Sequence, residues 1–91
     1  MIICSCILHI DLPHVHSIKG RRSVTNSIKE KLKAFNLSVL DVSGEYAKEA
    51  DIAFVFLSQN SLGAVQYREK IEKMIERNFS EYHFELEYEE I

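Results

Sequence analysis

Three cations stand close together at Lys19, Arg21 and Arg22, with Lys29 further along the same segment. Ser17, just ahead of them, is a suitable helix N-cap, so the cluster falls on the first turns of a helix, where free backbone N–H groups and the positive dipole end favour an anion. Phosphate of a nucleic acid or nucleotide suits this chemistry. The competing reading is a solvated helix face whose cations balance acids elsewhere. Cys4, Cys6, His9, His14 and His16 have the composition of a metal-ligand set, but their spacing argues against one. Residues two apart in a strand share a face, which sends both thiols to the core and His9 to the opposite side. The thiols are also about 7 Å apart along the chain, at or beyond the reach of an unstrained disulfide. Reduced, buried cysteines and no metal or cofactor are the expectation. Asp11, His14 and Ser17 lie near one another in sequence, but nothing orients them as a catalytic triad, and no enzyme is expected.

Positioning these residues requires six elements. Ile3 to Leu12 alternates as a first strand, with Cys4, Cys6, Leu8, Ile10 and Leu12 on one side, and Pro13 ends it. Val24, Ile28, Leu32 and Phe35 recur at spacings of four, four and three, which predicts an amphipathic helix from about residue 18 to 35 with Asn36 as its stop. Leu37 to Ser43 reads as a second strand and Ala50 to Ser58, apolar on both faces, as a strand inside the sheet. Asn60 or Ser61 caps a second helix in which Leu62, Val65, Ile71, Met74 and Ile75 form the apolar stripe. Tyr82 to Glu89 alternates almost perfectly as the last strand. The order βαββαβ with two right-handed crossovers predicts an α+β, ferredoxin-like sandwich. Its four-stranded antiparallel sheet has the order four, one, three, two, with both helices on one face.

If Cys4, Cys6, Leu8 and Ile10 face the helices, then Ile3, Ser5, Ile7 and His9 lie on the open face. The same reasoning sets Ala53, Val55 and Leu57 inside and Ile52, Phe54 and Phe56 outside. A face carrying Ile3, Ile7, Ile52, Phe54 and Phe56 is too apolar for water, so a covering partner is expected, most simply a second copy in a two-fold homodimer. The opposite faces result if the register slips by one residue. Aromatic residues on such a face also invite comparison with base-stacking RNA-recognition sheets. Here the basic and glycine positions ahead of Phe54 are Ala50 and Asp51, and Glu85, Glu87 and Glu89 would repel phosphate. A phosphate cradle of the acylphosphatase type is disfavoured because Leu12 to Ser17 contains no glycine.

Composition sets the outer limits. Ninety-one residues, 46% hydrophobic and 27% charged, are enough for one core and one domain. The longest apolar runs fall well short of a membrane span, and the N-terminal stretch lacks the pattern of a signal peptide, so a cytoplasmic location is expected. The net charge of −3 is unevenly spread: residues 1–40 carry +4 and the remainder −7. An anionic partner should therefore meet the first helix.

The run Ser17-Ile18-Lys19-Gly20-Arg21-Arg22-Ser23-Val24, followed by Ser27-Ile28-Lys29-Glu30-Lys31-Leu32 and Phe35-Asn36-Leu37-Ser38-Val39, resembles the YlxP-like family of small bacterial proteins of unknown function. The likeness spans essentially the whole chain and continues through Asp41-Val42, the Ala50 to Leu57 strand and the acidic last strand. Gly20 departs from it where a charged residue is usual, and Gly44 to Ala47 lacks the histidine and tryptophan often found there. The resemblance implies a ferredoxin-like fold, often dimeric, in a bacterial cytoplasmic protein. Its members are commonly encoded beside translation-initiation and ribosome-maturation factors. The leading expectation is a non-enzymatic module that contacts structured RNA or a ribosomal surface through Lys19, Arg21, Arg22 and Lys29. The alternative is a protein-interaction or small-ligand domain that uses its apolar sheet face.

Overall fold

Strict alternation makes β1 the spine of the sheet. In the computed structural model, which describes residues 1–91, β1 (Ile2–Asp11) buries Cys4, Cys6, Leu8 and Ile10 and leaves the residues between them half-covered. The chain continues as α1 (Ile18–Lys33), β2 (Ser38–Asp41), β3 (Glu49–Ser58), α2 (Ser61–Asn78) and β4 (His83–Glu90). The four strands pair antiparallel in the order β2-β3-β1-β4. This is the expected ferredoxin-like sandwich, with β1 and β3 central. One core joins the inner faces of β1 and β3 to Ile28 and Leu32 of α1 and to Ala64, Ile71 and Ile75 of α2. No helix is long and apolar enough to cross a membrane.

Local chemistry sets the helix ends. The Ser17 hydroxyl accepts from the Gly20 N–H at 3.0 Å and the Asn60 side chain accepts from the Gly63 N–H at 2.8 Å, so each N-cap satisfies one donor that the helix itself cannot. After α1, Asn36 takes a left-handed backbone (φ 58°), which asparagine tolerates better than most side chains and which turns the chain toward β2. The Tyr67 hydroxyl donates to the Phe35 carbonyl and ties α2 to that turn.

Two inner faces differ from the sequence-based expectation. In β3, Ala50, Ile52, Phe54 and Phe56 are buried and Val55 and Leu57 are exposed, the reverse of the expected facing. The cause is register: Cys6 pairs with Phe54, Cys4 with Phe56 and Leu8 with Ile52, and directly opposed residues of an antiparallel pair share a face. Both sides of β3 are apolar, so alternation alone could not choose between them. Burying the two phenylalanines and an isoleucine removes more apolar surface from water than burying Ala53, Val55 and Leu57 would. In α1 the buried stripe is Arg21, Thr25, Ile28 and Leu32, while Val24 is only partly covered and Phe35, also partly covered, lies in the turn just past the helix end.

Candidate functional site

The buried stripe of α1 carries Arg21 inward. Only 7% of the residue is exposed, and its Nη1 donates to the carbonyls of Gly44 (2.7 Å), Tyr46 (3.0 Å) and Glu49 (3.3 Å). Arg21 was expected to bind an anion directly. Instead its guanidinium fastens the segment between β2 and β3 to the helix, because that segment turns its carbonyl oxygens toward α1. Arg22 and Lys29, with Asn26 between them, line a wholly polar cleft of ≈ 360 Å³ whose other walls are Arg21, Asp41 and Ser43. Lys19 is exposed on the same helix but outside the cleft lining. Burial alone would raise the pKa of Asp41. Hydrogen bonds from Ser43, with help from Thr25 and the Arg21 charge, outweigh it and hold the carboxyl below its ordinary range. The cleft therefore sets three cations against one carboxylate.

The open face of the sheet follows from the same register. Across it, from β2 to β4, run Leu57–Ile3–Ile91, then Ser38–Val55–Ser5–Glu89, Leu40–Ala53–Ile7–Glu87, Val42–Asp51–His9–Glu85, and finally Glu49–Asp11–His83. Ile3 and Ile7 stand where the sequence placed them. Ile52, Phe54 and Phe56, also expected here, lie in the core, and Leu40, Val55 and Leu57 take their place as the apolar surface. The face stays apolar over β2, β3 and the first half of β1, and it is acidic along β4 and at one end. It contains no lysine or arginine.

At the boundary between the two zones, His9 bridges three strands. Its Nδ1 lies 2.6 Å from Asp51 Oδ1 on β3, and its Nε2 lies 2.9 Å from Glu87 Oε2 on β4. Glu87 is the diagonal neighbour of His9, whose direct partner is Glu85. The hydrogen bond to Glu87, and then that to Asp51, lifts the imidazole pKa above its ordinary 6.5 against the opposing effect of partial burial. Both nitrogens are engaged by carboxylates, so this histidine is an ion-pair clamp and neither nitrogen is free to act as a general base. Sequence reasoning placed His9 on this face but missed its partners, which lie 42 and 78 residues away.

The remaining polar groups sit on the helix side. The Cys4 and Cys6 sulfurs are 3.7 Å apart in the core. Desolvation, reinforced by Cys4, pushes the Cys6 thiol up to about 12. Arg68 of α2, only 9% exposed, stacks its guanidinium 3.6 Å over the Tyr88 ring and reaches Glu72 at 3.8 Å, roofing the inner face of β4. A guanidinium over a ring face draws on the ring quadrupole. His14 and His16 are exposed in the loop before α1.

A model of a protein family of unknown function, DUF503, matches residues 3–88. The chain belongs to that family. Among curated proteins, no relative matches it. Of solved structures, the de novo designed protein Foldit4 is similar over 97% of this chain and 94% of its own, with a TM-score of 0.54 and 11% identity. A dimeric ferredoxin-like protein from an uncultured marine organism is similar over 100% of this chain and 93% of its own, with a TM-score of 0.53 and 13% identity. These likenesses establish the ferredoxin-like fold of this family member.

Proposed function

We propose that the protein is a YlxP-like, non-enzymatic binding module that meets structured RNA or a ribosomal particle through the cations of α1. The observation that carries this reading is the polar cleft beside α1, where Arg22, Lys29 and Asn26 stand in front of the buried Arg21. Lys19 extends the positive surface along the helix, and Arg21 contributes charge from behind and holds the cleft's wall in place. The net +4 of residues 1–40 against −7 elsewhere steers a polyanion to this side of the molecule. The bacterial cytoplasmic setting implied by the resemblance belongs to the same reading.

Co-sedimentation with bacterial ribosomal particles at low and high salt tests it. Arg22 and Lys29 are outside the core, so the double variant Arg22→Ala/Lys29→Ala should fold normally. Two lost phosphate contacts should weaken binding and reduce the log–log salt slope by about 1.5, at roughly 0.7–0.9 per contact. Wild-type association that ignores salt, or an unchanged slope in the variant, would overturn the proposal.

A further inference from the structure

The open sheet face has a charge pattern as well as an apolar one, and the pattern selects among occupants. Leu40 and Leu57 are 64% and 63% exposed, and with Val55, Val42, Ile3, Ile7 and Ile91 they make a surface too continuous for a monomer in water. Along its β4 border, Glu85, Glu87 and Glu89 point the same way, and no lysine or arginine on the face answers them. His9 takes up Glu87 and leaves Glu89 without a cationic neighbour on the face, while Glu85 has only His83 at 3.9 Å.

A second copy fits this pattern poorly. Stacking two such faces with their strands aligned lays each acidic border over either the partner's acidic border or its β2 leucine, so carboxylates lose water and gain no cation. The central strand β1, ten residues long, spans about 33 Å. One α-helix of about twenty residues is ~30 Å long and matches that length. Spacing matches too: alternate strand residues repeat every ~6.7 Å, and helix residues four apart repeat every ~6 Å.

We infer that the open sheet face receives an amphipathic helix from another protein, apolar side chains seated on Leu57, Val55, Ile3, Ile7 and Leu40. A row of lysines or arginines, four residues apart on one flank, lies along Glu85, Glu87 and Glu89. This surface is on the opposite side of the molecule from the α1 cleft, and the two proposals stand or fall separately.

The probe is a fluorescein-labelled synthetic helix of about twenty residues with a leucine stripe and lysines at every fourth position on one flank, compared with the same peptide in which the lysines are replaced by glutamates. Fluorescence anisotropy should show binding of the basic helix only. Leu57→Ser/Val55→Thr should weaken it about tenfold or more, and Glu85→Gln/Glu89→Gln should weaken it and reduce its salt dependence. Glu69→Gln/Glu76→Gln, which removes two acids from the outer face of α2, should leave binding unchanged. Failure of the basic helix to bind, equal binding of the acidic peptide, or equal weakening by the α2 variant would overturn the inference. So would sedimentation equilibrium showing a dimer that Leu57→Ser/Val55→Thr dissociates, because a second copy would then be the occupant.

Discussion

Phe54 and Val55 are adjacent in β3 and point to opposite sides of the sheet, so truncating each in turn tests the register that defines both surfaces. Phe54 is 1% exposed and packs in the core; Val55 is 41% exposed on the open face. Removing the Phe54 ring forfeits about 2–3 kcal/mol of transfer free energy. A residual cavity on the order of 80 Å³ adds ~2 kcal/mol at about 24 cal/mol per Å³. Phe54→Ala should therefore destabilise the protein by about 4 kcal/mol, a large share of the ~5–14 kcal/mol available to a chain of this size. Val55→Thr keeps the β-branched shape and places its hydroxyl at a wet surface, so it should cost under about 0.5 kcal/mol. Urea unfolding followed by far-UV circular dichroism reads both, with the m-value checking that the transition remains two-state. A larger loss for Val55→Thr than for Phe54→Ala would show that β3 faces the other way. It would then refute the surface map on which the sheet-face inference rests.

Three further outcomes follow from the buried and paired groups. The raised folded pKa of His9 means that its stabilising contribution is fully present below the unfolded value near 6.5 and disappears as pH rises through the folded value. The urea midpoint of His9→Gln should accordingly trail wild type at about pH 5.5 and approach it at about pH 8.5. A gap that widens with pH would contradict the clamp. Arg21→Met should lower stability by roughly 2–3 kcal/mol, because three carbonyls of the β2–β3 segment lose a charged donor. Proteolytic nicking at residues 44–47 should rise in that variant, and wild-type resistance to cleavage would count against the fastening role. Cys4 and Cys6, buried and with Cys6 pushed to about 12, should react with an aromatic disulfide reagent only as fast as the protein unfolds. Rapid labelling in the native state would show that the thiols are reachable.

Every element whose signal is carried within one segment was legible from the order of residues alone. Single-sided alternation marks β1 and β4, fourfold and threefold spacings mark the helices, and Ser17 and Asn60 mark where those helices start. Right-handed crossovers and the usual arrangement of a split βαβ domain then supplied the sheet order, which the structure has. Part of the two candidate surfaces was legible in the same way: Arg22 and Lys29 as outward cations, Ile3 and Ile7 as open-face residues. Tertiary structure alone decided the rest. β3 is apolar on both sides, so its inner face is chosen by which register buries more surface against α1, α2 and β1. The role of Arg21 depended on a segment twenty-three to twenty-eight residues later returning with its carbonyls turned toward the helix. The His9 clamp depended on the alignment of three strands drawn from both ends of the chain and its middle. Periodicity is a property of neighbours along the chain, whereas register and the pairing of buried charges belong to residues that meet only once the sheet has closed.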